Sequence, residues 1–358
     1  MNPIAGQIPY RMFRAWGWPV IMPLNYTISV TARCNYRCAT CRIYQSDLPE
    51  MTIRDYRSLF LSLGRSPYWV TFSGGEPFLR GDFGDIVEMC CAICRPQLVN
   101  IPTNGSFPEK TAETAGNLAK RHHHINFIVN VSIDSTGDEQ NDIRGHRDAW
   151  RNAAATVAAL KKDRPGNLLT GIGTVISKRN LDGFARHRAE LEKLGAGSMV
   201  AEVAENRVEL LNESLDITPS PEEYKAIADD LIEEIKLKKR KGLAGLTQAF
   251  RKQYYGYVYK ILRGEKGLPC YAGFASVQIM PDGAVWGCCI RGDEMGRLPD
   301  YDYDLKKLWH SDKAAETRGK IKLRRCACPL ANAAYTNMML NTATSFKILG
   351  KIVFEGME

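Results

Sequence analysis

The sequence predicts an α/β fold built on a parallel sheet, followed by a small cysteine-rich α+β extension. Two observations carry this. Over residues 25–205, six short runs rich in Val, Ile and Thr alternate with stretches of helical periodicity, and such alternation implies a parallel sheet with helices outside it. Beyond residue 269 the pattern changes to short, Gly-punctuated segments that hold five cysteines.

The strands are expected at residues 25–30, 69–73, 98–102, 127–133, 169–176 and 198–203, most of them ending in Gly, Ser, Asn or Asp. Helices are expected between them at 53–63, 83–94, 109–121, 149–162 and 181–194. Six units of this kind suggest a partial (β/α)6 TIM-like barrel, in which function gathers at the C-terminal strand ends. Ser220 reads as the N-cap of a long helix with Pro221 in its first turn, running to about residue 241, where Gly242 is the expected stop. A helix rich in Tyr and Phe follows near 246–263. Residues 276–280 and 284–287, joined by Pro281-Asp282-Gly283, read as a β-hairpin with a tight turn. The resulting division is an N-terminal extension (1–24), the barrel (25–205), a helical connector (206–268), the cysteine-rich domain (269–330) and a C-terminal tail (331–358).

With 358 residues, 44% of them hydrophobic and 25% charged, the composition is that of a globular chain with room for one large domain and one small one. No apolar run approaches the roughly 20 residues needed to span a bilayer, and the N-terminus lacks a signal-peptide pattern. A cytoplasmic location follows, which suits eleven cysteines kept reduced for metal work. The net charge of +8 is densest at residues 236–241, where no aromatic side chain interleaves with the lysines. That run reads as a solvated helix face, and no nucleic-acid partner is expected.

Cys34, Cys38 and Cys41 stand directly after the first strand in the spacing C-x3-C-x2-C. Three thiolates are one short of what a four-iron cube needs, and an open metal position is where a substrate or cosubstrate binds. The second strand is followed by Ser73-Gly74-Gly75-Glu76-Pro77, in which two glycines permit close backbone approach and Glu76 offers an acceptor for an ammonium group. The third strand ends in Thr103-Asn104-Gly105 and the fourth in Ser132-Ile133-Asp134-Ser135, followed by Ile143-Arg144-Gly145; Val175 lies on the fifth. Cys270, Cys288, Cys289, Cys326 and Cys328 form a second cysteine set. Cys90, Cys91 and Cys94 fall within a helical pattern and are expected as small buried hydrophobes. His122, His123 and His124 follow a helix end and read as a surface run.

In this order the motifs resemble those of the radical S-adenosylmethionine (SAM) enzymes, over roughly residues 25–330. The resemblance implies a [4Fe–4S] cluster on Cys34, Cys38 and Cys41 whose open iron chelates SAM. One electron then cleaves SAM to methionine and a 5′-deoxyadenosyl radical, which abstracts hydrogen from an unactivated C–H bond. It further implies SAM contacts at Gly74, Gly75, Glu76 and Pro77, with Glu76 on the amino group, and at Asn104. Ser132 and Asp134 would lie near the ribose, Val175 near adenine, and Arg144 on the SAM carboxylate, which its planar fork fits. Plainer roles stand beside these: a strand-to-helix turn for Asn104, a turn cap for Asp134 and core packing for Val175. Thr40 occupies a position where the family usually has an aromatic residue, one that mainly offers backbone contacts.

The later cysteines resemble the SPASM or shorter twitch extension of these enzymes. This implies one auxiliary iron–sulfur cluster of the [4Fe–4S] type on Cys270, Cys288, Cys326 and Cys328. The closing pair is C-x-C where C-x2-C is commoner, and Cys289 competes with Cys288. As a non-ligand, Cys289 is a candidate catalytic thiol that returns hydrogen to a substrate radical. The substrate is expected to be a small molecule such as a sugar, polyol or lipid headgroup, or a peptide, and the outcome oxidation, epimerisation or cross-linking. A flavodoxin- or ferredoxin-type reductase would supply electrons. Only 33 residues precede Cys34, too few for the leader-binding domain that peptide-modifying members often carry. The aromatic, basic residues 10–18 and the apolar residues 346–354 can touch a membrane surface, but packing across the open barrel end is their expected role. A non-catalytic iron–sulfur electron-transfer protein is the alternative reading, and a zinc-dependent interaction module a third.

Overall fold

The computed structural model describes residues 7–162, 164–238, 242–324 and 326–345, without the side chains of 242–244. The apolar stretch 346–354 and positions 239–241 of the basic run lie outside the described residues. After helix α1 (Gln7–Trp16), strands β1 (Asn25–Ser29), β2 (Trp69–Ser73), β3 (Leu98–Thr103), β4 (Asn126–Ser132), β5 (Leu168–Ile176) and β6 (Ser198–Val203) pair in parallel, each with the next. Between them run α2 (Ile53–Leu63), α3 (Phe83–Cys94), α4 (Pro108–Arg121), α5 (Gly137–Arg144), α6 (Ala149–Lys161) and α7 (Phe184–Lys193).

Strand alternation divides the sheet into two chemically different faces. Ile28, Phe72, Ile101 and Val129 are fully buried in the core under the helices. On the other face Asn130 donates to Asn100 at 2.8 Å and Asn100 to Thr71 at 3.5 Å, a polar ladder on the concave side. Cys90, Cys91 and Cys94 of α3 are buried. His122 differs from the surface run expected of it: it is buried, with Nε2 2.8 Å from Glu88. The exposed Lys236 and Lys238 pair with Glu233 and Glu192.

Further along the chain come α8 (Pro221–Leu237), opened by a Ser220–Glu223 capping box, and α9 (Gly242–Leu262). Gly242 therefore starts the second of these helices, where it was expected to stop the first. Strand β7 (Ser276–Ile279) forms the expected hairpin with β8 (Ala284–Trp286), and β9 (Glu294–Arg297) adds a third strand. β7 also pairs in parallel with β1, so all nine strands form one sheet in the order β6-β5-β4-β3-β2-β1-β7-β8-β9. The cysteine-rich segment thus extends the barrel's sheet at its β1 edge.

Helices α10 (Leu305–Trp309), α11 (Asp312–Leu323) and α12 (Ala331–Leu340) follow. Residues 331–340, expected within a tail, are a helix lying against the concave face of β1. Asn332 donates to Thr27 at 2.8 Å, Asn25 donates to Thr336 at 3.1 Å, and Tyr335 packs on Tyr254 with ring centroids 5.2 Å apart. α1 packs beside the start of β7, where Phe13 meets Phe274 edge-on at 5.3 Å and Arg14 donates to the Cys270 carbonyl at 2.7 Å. Trp16 and Trp18 stay exposed. No helix among the described residues is long and apolar enough to cross a membrane.

Candidate active site

The cysteine loop, residues 31–41, is clamped from two sides. From the β2 turn, Gly75 donates to the Thr31 carbonyl at 2.8 Å and Glu76 to that of Arg33 at 2.9 Å. From the other side, the Arg37 and Ala39 amides donate to the carbonyls of Arg144 and Ile143 at 3.2 and 2.8 Å. The fit leaves no room for side chains. A Cβ on Gly75 would fall 2.1 Å from the Arg33 carbonyl oxygen, and one on Gly145, which ends α5 at φ +60°, 2.2 Å from that of Arg37. The Gly-Gly turn is therefore needed to seat the loop, whatever it also does for a ligand.

The three thiols, Gly74, Gly75, Asn104, Ser132, Arg144 and Val175 line one cavity of about 230 Å³. Asn104 brings its amide nitrogen within 3.9 Å of the Cys34 sulfur. Three other residues singled out from sequence do not line it. Glu76 is fully buried, accepting from the Phe78 amide at 3.1 Å, the Thr103 hydroxyl at 2.9 Å and the Asn104 amide at 2.7 Å. Its carboxylate, expected on an ammonium group, instead ties the β2 turn to the end of β3. Burial pushes it up to about 7 against the pull of those donors. Asp134 accepts from the Val175 amide at 2.8 Å and pairs with Arg144 at 2.8 Å, so it positions both. Pro77 is buried at the start of a short turn, Pro77–Leu79.

The donor set suits the groups the motifs imply. Three thiols from one loop leave a fourth metal position open. Burial pushes the Cys34 thiol up to about 11 and that of Cys41 up to about 12, so both stay protonated until a cation takes the proton's place. Arg144 lines the cavity, and its buried Nε–H has no hydrogen-bond partner among the described residues. Among the described residues no three His, Cys, Asp or Glu side chains are grouped closely enough to hold a single metal ion; the loop thiols stand around the cavity instead.

Cys288 and Cys289, adjacent in sequence, have different surroundings. Cys288 lies in the electrostatic neighbourhood of Cys270, Cys326 and Cys328, a set of four thiols that suits an auxiliary cluster. Cys289 is buried, hydrogen-bonded to Glu209 and near Arg207 and Glu205. It does not line the cavity, so the hydrogen-returning role anticipated for it has no access to a substrate there. Cys288→Ala is accordingly expected to lose the iron of one cluster while Cys289→Ala keeps full iron and sulfide. The reverse pattern in metal analysis would exchange the two assignments.

The sequence reading passed over the cavity's other wall, which includes Glu202, Glu205 and Arg207. Arg207 lies 2.9 Å from Glu205 and 3.9 Å from Glu209. Glu209 also accepts from the Gln278 amide at 2.7 Å and the Ser29 hydroxyl at 3.5 Å, which links this wall to β7 and β1. The one available signal was the density of charge at the end of a parallel strand, where apolar residues are the rule.

A parallel α/β sheet whose strand ends carry three thiols around a cavity, with four more thiols flanking an added hairpin and between α11 and α12, defines a class of iron–sulfur protein with room for a polar cosubstrate. Residues 28–190 match the model of the Radical SAM superfamily and residues 270–329 that of the SPASM iron–sulfur cluster-binding domain. The chain belongs to the radical SAM superfamily and carries a SPASM domain. Its cofactors are accordingly a [4Fe–4S] cluster, SAM and an auxiliary iron–sulfur cluster. It is 28% identical over 177 residues to the pre-heme d1 synthase of Dinoroseobacter shibae, covering 48% of this chain and 40% of that one. To AlbA of Bacillus subtilis, an antilisterial bacteriocin subtilosin biosynthesis protein, it is 26% identical over 143 residues, 39% of this chain and 31% of the other. The chain thus spans less than half the length of both curated relatives. The solved structure of native anSMEcpe with bound AdoMet and the Cp18Cys peptide shares the fold, with a TM-score of 0.62 at 16% identity over 93% of this chain and 97% of that one.

Proposed function

We propose that this protein is a radical SAM enzyme that cleaves SAM reductively and takes hydrogen from an unactivated C–H bond of a peptide or small polar substrate. The observation that carries this reading is the convergence of the loop thiols, the Gly-Gly turn and Arg144 on one cavity. The bound cluster and SAM supply a 5′-deoxyadenosyl radical; the chain supplies the geometry. Arg144, fixed by Asp134, lines the cavity as the guanidinium for the SAM carboxylate. Asn104, fixed through its backbone by Glu76, stands at the Cys34 sulfur.

A peptide ranks first among substrates, because AlbA serves a bacteriocin pathway and the anSMEcpe structure holds a peptide. The auxiliary thiol set, in the segment that extends the sheet beside β1, suits a cluster that accepts an electron from a substrate radical, and a flavodoxin- or ferredoxin-type protein would reduce the SAM-binding cluster. The test is 5′-deoxyadenosine formation by anaerobically reconstituted, reduced protein beside a Cys34→Ala/Cys38→Ala/Cys41→Ala variant. Product from the wild type alone is expected. A fully iron-loaded wild type that forms none, and whose cluster spectrum SAM does not alter, would favour a plain electron relay.

A further inference from the structure

The cysteine loop, the β2 turn and α5 form one wall of the cavity; the wall contributed by the end of β6 is acidic. Glu205, just past β6, is only 8% exposed. Its Oε1 is held by Arg207 at 2.9 Å and its Oε2, also buried, has no hydrogen-bond partner among the described residues. Glu202, the penultimate residue of β6, lines the same space, and the cation acting on it is that same Arg207. Three carboxylates, those of Glu202, Glu205 and Glu209, therefore share a single guanidinium. Glu209 is served by Gln278, Ser29 and Cys289 as well. Among the described residues Glu205 and Glu202 have no such donors. A carboxylate oxygen buried at a cavity wall without a donor is unfavourable unless a ligand brings one, and ionised carboxylates that outnumber their cation favour a positively charged one.

We propose, on the radical SAM reading above, that Glu205 and Glu202 form a subsite for a protonated primary amine of the substrate. Arg207 holds the Glu205 carboxylate by one oxygen and leaves the other turned to the ammonium. The substrate is then a molecule with an ammonium group close to the carbon that loses hydrogen. A lysine side chain in a peptide and an amino sugar both carry this chemistry. Such a group binds by charge-assisted hydrogen bonds, and a neutral molecule of the same shape would leave the buried oxygens unpaired.

The test uses reconstituted, SAM-loaded protein under anaerobic conditions, with ligand binding followed by saturation-transfer NMR and titration calorimetry. The probes are Nα-acetyl-lysine amide beside its neutral analogue Nα-acetyl-norleucine amide, and glucosamine beside glucose. At least one amine is expected to bind about tenfold or more tightly than its neutral analogue, and the pair that shows the difference identifies the source. Glu205→Gln is expected to remove that preference, and Glu202→Gln to weaken it, with iron content verifying that each variant is folded. Equal binding of amine and analogue, an undiminished preference in Glu205→Gln, or displacement of SAM by the amine would each overturn the proposal. Those failures leave a SAM-shifted cluster spectrum in the wild type; loss of that shift in the wild type itself would strike the radical SAM reading instead.

Discussion

Arg144→Met is expected to weaken SAM binding by about a hundredfold or more and to destabilise the protein by about 3–5 kcal/mol. The guanidinium performs two tasks. It is the partner of Asp134, whose side chain is 2% exposed beside an Arg144 side chain that is 11% exposed, so its removal strands a buried carboxylate. It also lines the cavity and reaches the Cys38 thiol. A double variant separates the two tasks. Asp134→Asn keeps an oxygen for the Val175 amide but removes the stranded charge, so Asp134→Asn/Arg144→Met should recover most of the stability and none of the SAM affinity. Arg144→Lys keeps the charge but loses the planar fork, and should hold stability better than affinity. The measurements are the SAM-induced change in the cluster spectrum and denaturant unfolding at matched iron content. A full spectral response in Arg144→Met would remove Arg144 from the SAM site.

What was legible in the sequence is what local chemistry decides. The C-x3-C-x2-C loop, the Gly-Gly-Glu-Pro turn and the Ser220 cap announce themselves because each needs particular residues at fixed spacing. So does the Pro281-Asp282-Gly283 hairpin. Partnership across the fold was not legible. Nothing in residues 276–279 says that they pair with β1, because parallel pairing is a choice among distant strands. α12 was hidden for a related reason. Its Asn332 and Thr336 look like surface polar residues until Asn25 and Thr27 of β1 are seen to face them. The hydrogen-bond partners of Glu76 were not legible, because a motif names a residue without saying where its oxygens go, and here three donors of the protein's own reach them. Glu202, Glu205 and Arg207 were not singled out, since periodicity cannot distinguish a charge in water from one folded over a cavity.

That buried acidic wall has a cost which Glu205→Gln should expose. Burial pushes the Glu205 carboxyl from an ordinary 4.5 up to about 7, although Arg207 pulls the other way. Between those values the folded chain binds a proton that the unfolded chain has released. Stability therefore falls as pH rises through this window, and is lowest above it. A displacement of this size corresponds to about 3 kcal/mol lost at pH 8 and about 2 kcal/mol at pH 6. The Gln amide oxygen can still accept from Arg207 while its nitrogen turns to the cavity in place of the unpartnered oxygen. Glu205→Gln is thus expected to be more stable than the wild type, by about 1 kcal/mol more at pH 8 than at pH 6. Denaturant unfolding of both proteins at the two pH values, at equal iron content and without amine, reads this directly. A Glu205 whose removal destabilises equally at both pH values would instead be a fully paired structural carboxylate. A variant that is stabler at high pH and has lost its preference for amines would tie both effects to one oxygen: the charge the fold is disfavoured by holding alone is the charge with which it would grip its substrate.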